Sequence, residues 1–96
     1  MTWIFEIIDK SGRKIHLSKE QWKHIMTEHS ELANKVEEIK DTLTNPLTIK
    51  HSKYDENVRW YFKYYKKLSK YLMVSVKYLN GEGFIITAFH TSKLPK

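Results

Sequence analysis

The chain has 96 residues, is 41% apolar and 14% aromatic, and carries a formal net charge of +6. That size suits a single domain spanning residues 1–96, and that apolar content can build a modest core without metals or disulfides. The absence of cysteine excludes a disulfide scaffold and cysteine-held zinc and fits a reducing, cytoplasmic setting, while no apolar run approaches the ~18 residues of a membrane span and no signal-peptide pattern opens the sequence.

Residues 3–8, Trp-Ile-Phe-Glu-Ile-Ile, read as a strand because β-branched and aromatic residues suit a pleated surface. Asp9-Lys10-Ser11-Gly12 is turn chemistry. Residues 13–17 return as a second short strand, in which alternation points His16 away from Ile15 and Leu17. Ser18 followed by Gln21 is a capping-box pattern, so a helix is predicted from Ser18 or Lys19 to about His29. Trp22, Ile25, Met26 and His29 fall at i, i+3, i+4 and i+7, the spacing of one buried face. His24 and Glu28 stand four apart on its flank. Ser30 and Glu31 interrupt the pattern, and a second helix is predicted over about 32–43, with Leu32, Val36, Ile39 and Leu43 inward. Pro46 ends it by disfavouring helical geometry at Asn45. Strands are then predicted at 47–52, 58–65, 71–79 and 84–91, separated by turn-forming clusters. The whole implies an α+β fold: an N-terminal short β-hairpin and two helices packed on one face of a four-stranded antiparallel sheet.

The charge is distributed unevenly. Residues 1–56 hold nine Lys/Arg and ten Asp/Glu, whereas residues 57–96 hold eight Lys/Arg and one acid, Glu82. The surplus therefore belongs to the strand-rich part, and a one-sided basic surface points to a polyanion such as nucleic acid. A solvated basic hairpin would give the same count. In residues 58–65, Arg59, Tyr61, Lys63 and Tyr65 share one strand face, where alternating cations and aromatics could grip phosphates and bases. Trp60 and Phe62, on the other face, are assigned to the core.

Three groups could carry chemistry. His24 and His29 suit proton transfer near neutral pH, although His24 paired to Glu28 on the surface and His29 in the core are equally simple readings. Five residues apart, the two rings stand about 140° apart around a helix, so they cannot face one ion. The zinc pattern needs a four-residue spacing on one face, and no metal site is expected. Thr87, in the last strand with Ile85 and Phe89, is a hydroxyl that must find a partner or cost roughly 1–3 kcal/mol. Beyond it the strand becomes hydroxyl- and base-rich, which makes Thr91 and Lys93 candidate phosphate contacts beside Arg59, Tyr61 and Lys63. RNA cleavage without metal or cofactor would use all three: proton carriers by the ribose and fixed charge on the phosphate.

Leu17-Ser18-Lys19-Glu20-Gln21-Trp22-Lys23-His24-Ile25-Met26-Thr27-Glu28-His29-Ser30-Glu31-Leu32 resembles the L-T-x-E-x-W-x-H-I-x-x-x-H-P-E-L opening of phage-associated barnase–EndoU–colicin E5/D–RelE-like (BECR) nuclease domains. The similarity continues through Thr42-Leu43-Thr44-Asn45-Pro46 and through Phe84-Ile85-Ile86-Thr87-Ala88-Phe89. It implies helices packed on an antiparallel sheet and a metal-independent endoribonuclease, often a toxin or a phage-borne effector, with tRNA a candidate substrate. By motif it carries over His24, His29 and Thr87 as catalytic candidates. Two positions depart from the pattern: Ser30 replaces a proline, and Phe89 replaces a tyrosine and so lacks its hydroxyl. The expected partner is RNA on a basic sheet face, with an acidic antitoxin or immunity protein as a second candidate and no membrane. A non-catalytic nucleic-acid-binding module and a toxin–antitoxin interaction protein are the alternatives.

Overall fold

Ser18 accepts a hydrogen bond from the Gln21 amide at 3.0 Å, so the first helix starts where its cap places it. The computed structural model describes residues 3–95. In it α1 (Lys19–Glu28) follows directly on the hairpin of β1 (Trp3–Ile8) and β2 (Lys14–Ser18). His29 leaves helical geometry at φ −135° and ψ 70°. A 3₁₀ turn, Ser30–Leu32, follows before α2 (Val36–Thr44). The second helix is therefore shorter than the 32–43 pattern predicts. Leu32 buries its side chain from the 3₁₀ turn instead.

The remaining strands are β3 (Thr48–His51), β4 (Val58–Tyr65), β5 (Lys70–Leu79) and β6 (Glu82–Thr91). They do not form a separate four-stranded antiparallel sheet. All six strands make one mixed sheet in the order β1-β2-β6-β5-β4-β3, and β2 pairs parallel to β6 through Ile15↔Gly83 and His16↔Phe84. Both helices cover one face. Trp22, Ile25, Ile39 and Leu43 pack there against Leu72, Val74, Val76, Ile85 and Ala88. No helix among the described residues is long and apolar enough to cross a membrane.

Two details of β6 shape the other face. Asn80 and Gly81 both adopt positive φ, at 54° and 83°, the backbone of a tight two-residue hairpin turn. The strand then starts at Glu82, so Gly83 lies inside the sheet rather than in the turn. A Cβ on Gly83 would stand 2.8 Å from Val76 Cγ1 and 2.9 Å from Tyr78 Cε1. Gly83→Ala is expected to destabilise the fold by about 1–3 kcal/mol through overpacking, read as a lower urea midpoint at unchanged m-value.

The second detail is a bulge. Ser75 pairs with Thr87 but Val76 pairs with Ile85, which leaves Ile86 as an extra residue. An extra residue reverses the alternation beyond it. Ile85 thus faces the helices, whereas Thr87, Phe89 and Thr91 face away from them. The expectation that Thr87 shares a face with Ile85 is corrected by this one-residue shift. The Gln21 side-chain amide donates to the Ile86 carbonyl and ties α1 to the bulge.

Candidate functional site

Cross-strand register assembles the helix-free face in rows. Trp60, Ser75 and Thr87 are direct neighbours across β4, β5 and β6, and so are Phe62, Met73 and Phe89. Together with Thr91 they floor a cavity of about 520 Å³. The tail closes one side. Thr91 Oγ1 accepts from the Lys93 amide at 3.4 Å and donates to the Lys93 carbonyl at 3.1 Å, which turns the chain so that Lys93, Leu94 and Pro95 line the same cavity. A second cavity of about 250 Å³ adjoins it, sharing Trp60 and Pro95 and adding Lys50, His51, Lys53 and Tyr54. No carboxylate lines either one. The result is a groove with an aromatic floor, adjacent hydroxyls and lysines at both ends.

The rows also reverse the faces expected for β4. Trp60 and Phe62 lie on the groove, and the Arg59–Tyr65 row lies under the helices. Tyr61 is only 1% exposed and donates its hydroxyl to Asp9 Oδ2 at 3.0 Å, so it is enclosed by the core rather than open to bases. Lys63 reaches Asp41 at 2.9 Å and the Asn45 carbonyl at 3.2 Å, which ties it to the end of α2. That ammonium holds the Asp41 carboxyl below its usual range. Arg59 donates to the Glu56 carbonyl at 2.6 Å and stands over the Tyr78 ring. Alternation establishes that two rows oppose each other but not which one is inward. Here the long cationic stems reach around the helix side and Trp60 remains in the groove, while Phe62, on the same side, is only 3% exposed and buried as expected.

The two helix histidines separate as their spacing implies. His29 is half-buried at the end of α1, its ring centroid 5.6 Å from that of Phe89. Phe89 lines the groove, and this imidazole stands beside Phe89 without itself lining the groove. His24 is 58% exposed and pairs with Glu28 at 3.2 Å. None of its contacts reaches the groove. Thr87, Thr91 and Lys93 do lie together with His29's neighbour Phe89, whereas Arg59, Tyr61 and Lys63 do not.

Two clusters escaped the sequence reading. His16 does point away from Ile15 and Leu17, but it is 5% exposed, because its ring lies between Trp3 at 4.5 Å and Phe84 at 5.1 Å. Its Nε2 is 2.5 Å from Glu82. Its Nδ1 is 2.7 Å from Glu6, with the carboxylate off the N–H axis. This clamp joins β1, β2 and β6. The second cluster is the buried carboxylate of Asp9, which accepts from the phenols of Tyr61 and Tyr78 and from Ser11 and the Arg13 amide. Burial alone would push this carboxyl up, but those hydrogen bonds outweigh it and hold the group below its ordinary value. The Tyr78 phenol is pushed up, by burial first. Long-range pairs of this kind leave no local signal in a sequence.

Comparison with the curated proteins and with the solved structures returns no significant match. A family comparison does match: the sequence model of the phage-Barnase-EndoU-ColicinE5/D-RelE like nuclease2 family (PBECR2) aligns with residues 5–96. That span takes in the groove and every element of the fold except the first two residues of β1, and the chain belongs to this family of nuclease-like domains.

Proposed function

We propose that the chain is an endoribonuclease that lays single-stranded RNA across the helix-free sheet face and cleaves it beside His29. The groove itself carries this reading: aromatic floor, paired hydroxyls, lysines at both ends and no lining carboxylate. Aromatic side chains stack on unpaired bases whatever their identity, while lysines follow the backbone. Single-stranded loops, such as those of tRNA, fit such a platform better than a duplex does. An acidic antitoxin or immunity protein would meet the same lysines, and action on RNA of this kind suits a cytoplasmic protein.

The proposed step uses proton carriers and fixed charge. His29 takes the proton of the 2′-hydroxyl as that oxygen attacks phosphorus, and the bond to the 5′-oxygen breaks. The leaving oxygen takes its proton from water, giving a 2′,3′-cyclic phosphate and a free 5′-hydroxyl. Lys93 and the Thr87 hydroxyl hold the non-bridging oxygens, on which charge grows. Among the described residues no three histidine or carboxylate groups converge as a metal site would require. His24 has no part in this scheme.

Incubation of the protein with total RNA in EDTA tests the proposal. Fragments ending in 2′,3′-cyclic phosphate are expected, and intact RNA would overturn cleavage. One reading survives that outcome, a non-catalytic RNA-binding module. Two observations favour it: a single helix imidazole stands beside the groove, and Phe89 stands where the related pattern has a tyrosine hydroxyl. Salt-sensitive binding without cleavage would establish it. Either way, Trp60→Ala is expected to weaken RNA binding by about 1–3 kcal/mol through lost stacking with the salt slope unchanged. Titrations at several salt concentrations check both.

A further inference from the structure

A third cavity lies on the helix-covered side, where the β4–β5 hairpin turns. It measures about 450 Å³. Lys35 and Glu38 border it from the start of α2, Tyr65, Lys66 and Lys67 from the hairpin, and His90 from β6. The His90 side chain is only 10% exposed, and its nearest charged neighbour is Glu31, with 3.9 Å from Nδ1 to the carboxylate. That is too long for a hydrogen bond, and no other described residue bonds the ring. An imidazole nine-tenths buried, approached by Glu31 but hydrogen-bonded to no described residue, thus faces a cavity lined by Lys66, Lys67 and the Lys35–Glu38 pair, which stands at 3.6 Å.

The helix adds to this. The N-cap of α2 is Lys35, which makes no side-chain cap bond. The first-turn amides therefore receive no side-chain cap from Lys35, and the helix start, which also carries Glu37 and Glu38, borders the cavity. Three lysines against one glutamate leave two positive charges on its lining. A phosphomonoester carries about −1.5 to −2 near neutral pH. A cavity of about 450 Å³ has room for a phosphomonoester or a chain end.

We propose that this cavity binds a phosphomonoester, as a free phosphate or nucleotide or as the terminal phosphate of an oligonucleotide. His90 hydrogen-bonds the phosphoryl oxygens from one wall, and Lys66 and Lys67 close on them from the hairpin tip. This assignment does not depend on cleavage in the groove. Burial first, with Lys70 of β5 and Lys35 of α2, holds the His90 imidazole below its ordinary value against the opposing pull of Glu31 and Glu38. Tyr65, Lys66 and Lys67 complete the groups facing it. A dianion at the ring favours the protonated form, so occupancy should raise the pH at which His90 titrates.

The test follows the His90 imidazole by NMR in the full chain. Three probes are used: inorganic phosphate, a 5′-phosphorylated deoxytrinucleotide, and the same trinucleotide with a free 5′-hydroxyl. Deoxy probes lack the 2′-hydroxyl, so the result is separate from any nuclease activity. Phosphate and the phosphorylated probe are expected to move His90 and raise its titration. The hydroxyl probe is expected to leave it in place. Lys66→Glu with Lys67→Glu, exposed on the tip, should weaken both by about tenfold or more, as loss of charge-assisted bonds to phosphate would. His90→Gln should weaken phosphate binding with the folded spectrum kept. Tighter binding of the phosphorylated probe than of phosphate would identify a nucleic-acid end as the source, and equal binding a free phosphomonoester. An unmoved His90 with phosphate, or equal shifts from both trinucleotides, would overturn the proposal.

Discussion

Replacing His29 by alanine is expected to slow RNA cleavage by about 10²–10⁴-fold, the usual contribution of a positioned proton carrier, with RNA affinity near that of the wild type. The fold should survive the change. His29 caps α1 through its backbone N–H, which donates to the Ile25 carbonyl at 2.7 Å, and alanine keeps that bond. Its side chain meets Phe89 of the groove floor but does not itself line the groove on which bases would stack. His24→Ala should cleave at close to the wild-type rate, because that ring's partner is Glu28 in an exposed pair, a contact worth about 0–1 kcal/mol. Single-turnover cleavage of a defined RNA separates the two variants. Equal losses in both would mean that the rings act together, and an unaffected His29 variant would remove this imidazole from the chemistry.

Asp9→Ala is expected to cost about 3 kcal/mol or more of folding stability, the range for removing the charged member of a buried hydrogen-bonded set. Asp9 is buried, and its oxygens receive both Tyr phenols, the Ser11 hydroxyl and two backbone amides. Without it the phenols of Tyr61 and Tyr78 keep only each other, 2.5 Å apart. The β1–β2 turn also loses its hydrogen-bonded tie to β4 and β5 and keeps Arg13 over the Tyr78 ring. The pH dependence has a definite sign. Although burial pushes the other way, hydrogen bonding leaves the Asp9 carboxyl below its ordinary value of 3.8 in the folded chain. Its contribution is therefore fully present above the unfolded value and is lost as pH falls through the folded one. Wild-type urea midpoints should fall on acidification below about pH 4, and those of Asp9→Ala should fall less steeply over the same window.

What the sequence made legible was local. Ser18 and Gln21 lie three residues apart, so the start of α1 could be read from the cap, and Pro46 marked the end of α2 equally well. The docking of β2 beside β6 joins residues far apart in the chain, and neither strand's pattern names its neighbour. The inward face of β4 was ambiguous for a related reason. Both of its rows mix aromatic and other residues, and only the packing of Tyr61 beneath Asp9 and the reach of Lys63 to Asp41 decide between them. The bulge at Ile86 then moved Thr87 onto the groove face, a shift that strict alternation cannot foresee. Of the surplus cations in residues 57–96, Lys63 pairs with Asp41 and Lys77 with Asp55. The groove, however, draws its cations from Lys50 and Lys53 at the β3 edge and Lys93 in the tail, two of which lie in the half of the chain without a net surplus.

The central claim is that RNA lies on the helix-free face. An NMR titration with an uncleavable deoxyoligonucleotide bearing a free 5′-hydroxyl tests it most directly. Shifts at the Trp60 indole, the Thr87 and Phe89 amides, and Lys50 are predicted, with Arg59 and Lys63, on the opposite face of β4, unmoved. Shifts confined to Arg59, Lys63 and His24, with the Trp60 indole unchanged, would contradict it.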